Sequence, residues 1–230
     1  MNFLIGYLNS SKKLGEMMTA RMLILGSYRL CEKIMLAAYL NLLWIIFTAG
    51  GFIVFGIFPS TAGLFTVIRK MILYKDHDIN IFSEYWRAVK KEFVKSNAMG
   101  FLLTLITLLL WLNFQLLQLI DGIPHLILLS IMCMIGMMWV ILLFYWIPIY
   151  VHFELPIRNV LSAAFLIGLA NPLYTILMIL GLSVLYMIVL IVPGLLPFFS
   201  ISISVFLIMQ LALKAFERNQ KISFRNEEKK

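Results

Sequence analysis

Asp76, His77 and Asp78 stand in a row and are the closest this chain comes to a metal-ligand cluster. A structural or catalytic metal needs three or four converging donors. No Cys and no second His lies near this triplet, so it reads as a solvated turn and no metal is expected. His125 and His152 flank one apolar run and would lie about 40 Å apart on a continuous helix, too far to share a ligand. The sequence has no GxxxxGK[ST], GxSxG, HExxH or CxxC pattern, so neither a nucleotide cradle nor an activated nucleophile is indicated. No catalytic residue, cofactor or enzymatic activity is expected.

The polar side chains within the apolar runs are few. Asn113, Gln115 and Gln118 cluster near the end of one run, with Asn41 and Gln210 in others. Amides there form interhelical hydrogen bonds or, alternatively, line a solute path. No Asp, Glu, Lys, Arg or His falls near the middle of any run, which weighs against a proton-coupled carrier. Gly56 with Ser60, and Ala164 with Gly168, have the spacing of close helix contacts. Cys31 and Cys133 are the only cysteines, too few for a disulfide framework, and are expected as reduced, buried thiols.

A second kind of chemistry is surface recognition. Phe82, Tyr85, Trp86, Val89 and Phe93 recur at helical spacing, with Glu84, Arg87, Lys90, Lys91 and Lys95 off that stripe. Asn80 is placed to cap the helix. Aromatic and basic side chains together suit a headgroup layer, where Trp and Tyr keep one end dry and Lys snorkels. They equally suit docking of a protein partner. Nucleic acid is not indicated, because such interleaving alone is weak.

Composition dictates the elements that carry these residues. Of 230 residues 62% are hydrophobic and 13% charged, and the mean hydropathy is +0.96. Several runs reach the roughly 20 residues that cross ~30 Å of hydrocarbon. An all-α membrane protein of about six spans follows: about 30–49, 52–68 (shortened or kinked at Pro59), 98–119, 125–150, 173–192 and 195–213. Residues 160–170 are apolar but short and suit an interfacial helix. Residues 1–27 read as an amphipathic helix, lying on the membrane or folded as a flap on the bundle. The first apolar piece, 3–8, is too short for a cleavable signal. The transmembrane domain is expected over 28–214, with a polar loop at 69–97 and a flexible tail at 215–230. The layout of spans 2 and 3 resembles that of spans 4 and 5, each second span opening on an asparagine, Asn97 or Asn171.

All 19 Lys and Arg fall in the N-terminal segment with the start of the first span (as far as Lys33), the 69–97 stretch, the 151–159 connection and the tail from Lys214 on. The other three turns have none. By the positive-inside rule both termini and the 69–97 loop are expected in the cytoplasm, in a multi-pass protein of the cell membrane. The formal charge of +8 thus reflects membrane orientation.

Asn41 and Trp44, then Pro59, Thr61, Ala62 and Leu64 running into Arg69 and Lys70, then Phe82, Trp86, Lys91, Phe93 and Asn97, resemble the pattern of the YesL-like family of bacterial membrane proteins. Gly63 stands where many members have Ala. The resemblance implies a context of sugar-binding-protein-dependent ABC importers. An accessory or regulatory membrane subunit follows as the expectation, partnered by the bilayer and by permease or ATPase subunits. The chain lacks the EAA-type loop of an importer permease. The alternatives are an autonomous small-solute transporter or channel, and a membrane sensor or scaffold.

Overall fold

The structure is a computed structural model that describes residues 21, 28, 31–74, 80–153 and 155–227, with side chains as far as 221. The N-terminal amphipathic segment, the Asp76–Asp78 triplet and the last three residues lie outside the described residues. Helices α1 (Cys31–Gly50), α2 (Ile57–Tyr74), α3 (Ile81–Leu117), α4 (Ile123–Phe153), α5 (Ile157–Ala170), α6 (Pro172–Ile191) and α7 (Leu196–Glu227) follow in order. A single 3-10 turn, Pro193–Leu195, leads into α7. No strand occurs among the described residues. The chain is an all-α membrane protein.

Hydrocarbon cannot satisfy a backbone N–H or C=O, so apolar runs of this length close their hydrogen bonds internally as helices. Five segments are long and apolar enough to cross a membrane: Cys31–Gly50, Ile81–Leu117, Ile123–Phe153, Pro172–Ile191 and Pro193–Lys221. Their outer faces carry large apolar side chains such as Leu105, Trp111, Ile127, Met134 and Leu180. Helix α2 is different. It packs on α3, α4 and α7, and Leu64 and Val67 are fully buried. It is the helix the bundle closes around.

Pro59 does not kink a long span. Helix α2 begins at Ile57, so Pro59 falls in the first turn, where its missing N–H would have no intrahelical acceptor in any case. The preceding turn, 51–56, is tight. Phe52 and Ile53 take φ of 54° and 64°, the left-handed region that costs a β-branched residue most. Gly56 approaches α1 so closely that a Cβ there would sit 2.3 Å from the Thr48 carbonyl oxygen.

The largest departure from expectation concerns α3. The segment expected as an interfacial helix is helical, with the Asn80 side chain accepting from the Ser83 N–H at 3.1 Å. It continues without a break through Asn97 into the third span. The result is one 37-residue helix, about 55 Å long. Helix α2 runs antiparallel along the charged half of α3, pairing Gly63 with Val89 and Phe58 with Gly100. Spans 2 and 3, expected as neighbours, therefore overlap little in depth. The small face of α2 matches the Tyr85–Val89 stripe, which is why the two lie together.

Two smaller corrections follow, with the short helix over 160–170 found as expected. Both cysteines are free but exposed on outer helix faces, where apolar surroundings suit a thiol as well as a core does. The region after Leu213 is helical through Glu227, held by burial of Ala215 and Phe216. Helix α5 packs on α4 through Val160, Ala164 and Gly168. A Cβ at Gly168 would meet the Ile141 Cγ2 at 2.1 Å.

Candidate functional site

One end of the bundle gathers the charged side chains, and there polar contacts join three helices pairwise. Lys70 of α2 pairs with Glu84 of α3, and Arg87 reaches the same carboxylate at 3.4 Å. Tyr150 of α4 donates to the Glu92 carboxylate of α3. Arg69 of α2 donates from Nε to the His152 Nδ1 of α4 at 3.1 Å. An accepting Nδ1 carries no proton, so this geometry assigns a neutral imidazole with its hydrogen on Nε2. The His152 ring packs against Phe153 and Phe216, centroids 4.6 and 5.2 Å away. Helices α2, α3 and α4 are thereby tied into a closed triangle, with α7 stacked on one corner.

The aromatic stripe of α3 divides into two roles. Tyr85 is fully buried; its hydroxyl donates to the Ser60 carbonyl at 2.7 Å, and its ring meets Phe47 of α1 at 5.0 Å. Val89 is buried against Gly63. These two hold the fold. Phe82, Trp86 and Phe93 are 53%, 52% and 40% exposed, which leaves them available to a partner. Phe47 braces Phe82 and Trp86 from behind at 6.1 and 5.5 Å. Arg87, Lys90, Lys91 and Lys95 point outward beside them, with Lys91 3.7 Å from Glu92. The outcome is a firm aromatic and basic face.

The family-pattern residues are structural joints. Asn41 donates from Nδ2 to the Pro197 carbonyl and accepts at Oδ1 from the Ile201 and Ser202 N–H groups, both at 3.2 Å. Trp44 Nε1 donates to the Thr61 hydroxyl at 3.0 Å, which itself donates to the Ile57 carbonyl at 2.7 Å. Asn97 donates to the Phe55 and Phe93 carbonyls, both at 2.9 Å. In the second half Asn171 repeats the bond to the residue four before it, Ile167, at 2.9 Å, and adds one to Asn219 Oδ1 at 3.0 Å.

Asn113, Gln115 and Gln118 do not come together around an interior path. All three are exposed, Gln118 just past the end of α3, and Asn113 donates to the Leu109 carbonyl of its own helix at 2.7 Å. The interhelical bond in that region is one sequence reasoning missed: Trp139 Nε1 donates to the Thr107 hydroxyl at 3.1 Å. The His152 link was also missed. A histidine at the polar end of an apolar run, beside a basic pair elsewhere, was its only signal. Among the described residues no group of three His, Cys, Asp or Glu could hold a metal ion.

No solved structure matches the chain. Residues 37–114 match a family described as "Protein of unknown function, DUF624", a stretch that contains the Asn41, Trp44, Thr61 and Asn97 joints and the aromatic face. Proteins of Bacillus subtilis (strain 168) are similar over most of their length. "Uncharacterized protein YesV" is 34% identical over 84% of this chain and 92% of its own. "Uncharacterized protein YteU" is 37% identical over 76% and 78%. "Uncharacterized protein YesL" is 34% identical over 83% and 90%. With matches this extended, the chain belongs to the YesL-like family of membrane proteins.

Proposed function

We propose that the protein is an accessory or regulatory membrane subunit of a carbohydrate ABC importer, docking on its permease or ATPase subunits through the charged end. It sits in the cell membrane with the charged end in the cytoplasm. The concentration of Lys and Arg in the 69–97 stretch supports that orientation. The importer context is what the family resemblance implies. The observation that carries docking is the outward face of Phe82, Trp86 and Phe93. Aromatic anchors with a polar rim are the usual composition of an interface. This face is rigid before binding, because α2 and Phe47 pack behind it, so little ordering cost attends association. The role asks for no catalytic group and no cofactor. An autonomous solute path through Asn113, Gln115 and Gln118 gains no support from their outward placement.

The test is affinity recovery of the full-length protein from native membranes in mild detergent. Permease or ATPase subunits are expected to co-purify. A Trp86→Ala/Phe93→Ala double variant is expected to lose them at least tenfold while inserting normally. Recovery of the protein alone, or undiminished recovery by the double variant, would overturn the docking.

A further inference from the structure

We propose that Arg69, positioned by His152, forms an oxyanion site that takes a phosphate group at the charged end of the bundle. The half-buried Arg69 spends its Nε–H on His152 Nδ1 at 3.1 Å. That bond fixes the guanidinium plane and leaves the four Nη hydrogens as a fork. Among the described residues no carboxylate meets it. Glu84 is taken by Lys70 and Arg87, and Glu92 by Tyr150 and Lys91. The two carboxylates of α3 are thus committed to other partners, and none of the ion pairs among the described residues involves Arg69.

A partly desolvated cation without a counter-ion is costly, and a fixed fork of N–H groups matches two oxygens of one phosphate. His152 contributes position and no charge. Its ring, packed on Phe153 and Phe216, keeps the guanidinium from swinging into solvent. The same phosphate chemistry is offered by an anionic phospholipid headgroup and by free phosphate. The chain around the site supports the first: α2 ends near the charged end of helices whose outer faces are apolar. The site is separate from the Phe82–Trp86–Phe93 face, so the two proposals stand or fall independently.

The experiment follows thermal unfolding of full-length protein in a neutral detergent, at constant ionic strength. The additions are inorganic phosphate, phosphatidylglycerol or phosphatidylcholine. A rise in Tm of about 5 °C is expected at saturation with phosphatidylglycerol, and none with phosphatidylcholine. The rise should vanish in Arg69→Gln and persist in Lys33→Gln, a change in an exposed charge on α1. Should Arg69→Gln fail to fold, Arg69→Lys keeps the charge but loses the fork, and is expected to need at least tenfold more lipid. A rise with phosphatidylglycerol alone identifies a headgroup. An equal rise with inorganic phosphate identifies a free oxyanion. A rise unchanged in the Arg69 variants, or no rise with either anion, overturns the proposal.

Discussion

Asn41 of α1 is bonded to the backbone of α7 at Ile201: its amide donates to the Pro197 carbonyl, and its Oδ1 accepts from the Ile201 and Ser202 N–H groups. One buried side chain thus ties α1 to the first turns of α7 and has its own polar atoms satisfied there. Asn41→Ala removes all three bonds. A loss of about 1–3 kcal/mol is expected, read from equilibrium unfolding in mixed micelles. Asn41→Asp keeps the acceptor and should retain part of it. A stability equal to wild type in Asn41→Ala would show that these three bonds add nothing to the fold.

Trp44 and Thr61 bond across α1 and α2 at 3.0 Å. Trp44→Phe and Thr61→Val each remove this bond, at about 0.5–1.5 kcal/mol. Because the bond is shared, the double variant is expected to fall short of the sum by roughly 0.5 kcal/mol or more. Strict additivity in this cycle would mean that each residue acts through packing alone.

Two glycines separate close approach from mere helix flexibility. Gly168→Ala drives a methyl into Ile141 and should cost about 1–3 kcal/mol. Gly136 meets nothing within 4 Å, so Gly136→Ala should be neutral or stabilise by up to about 1 kcal/mol through helix propensity. The two melting temperatures should move in opposite directions or differ by several degrees; equal shifts would refute the α4–α5 contact as drawn.

The turn joining α1 to α2 makes a similar pair. Ile53 holds a left-handed φ of 64°, so Ile53→Gly is expected to cost nothing or gain about 0.5 kcal/mol. Gly56→Ala, facing the Thr48 carbonyl at 2.3 Å, should destabilise by about 2 kcal/mol or more. Thermal unfolding of both variants checks the order.

Helices were legible because hydropathy is a local property. Leu105 and Ile131 announce a span without reference to neighbours. The joints at Asn41, Trp44 and Thr61 were visible as a pattern, though their bonding was not: a residue 160 positions away is the partner of Asn41. The pairing of α2 with the charged half of α3 was hidden for a different reason. Tyr85 and Val89 form the same helical stripe as Trp86 and Phe93, and periodicity cannot say which part of a stripe meets protein. Only the small surface of Ser60 and Gly63, brought alongside by folding, divides it. Cys31 and Cys133 misled because a lipid-facing wall and a protein core are equally apolar.

The unbroken length of α3 has a mechanical consequence. A 37-residue helix without proline has no proline kink along its length, so a displacement at Trp86 is carried along the same helix toward Leu117. Before α7, the second half is jointed where α3 is continuous: Asn171 separates α5 from α6, which opens on Pro172. The molecule therefore pairs a continuous arm with a jointed one, and a load applied at the charged end has a direct path along α3 to the far end of the bundle.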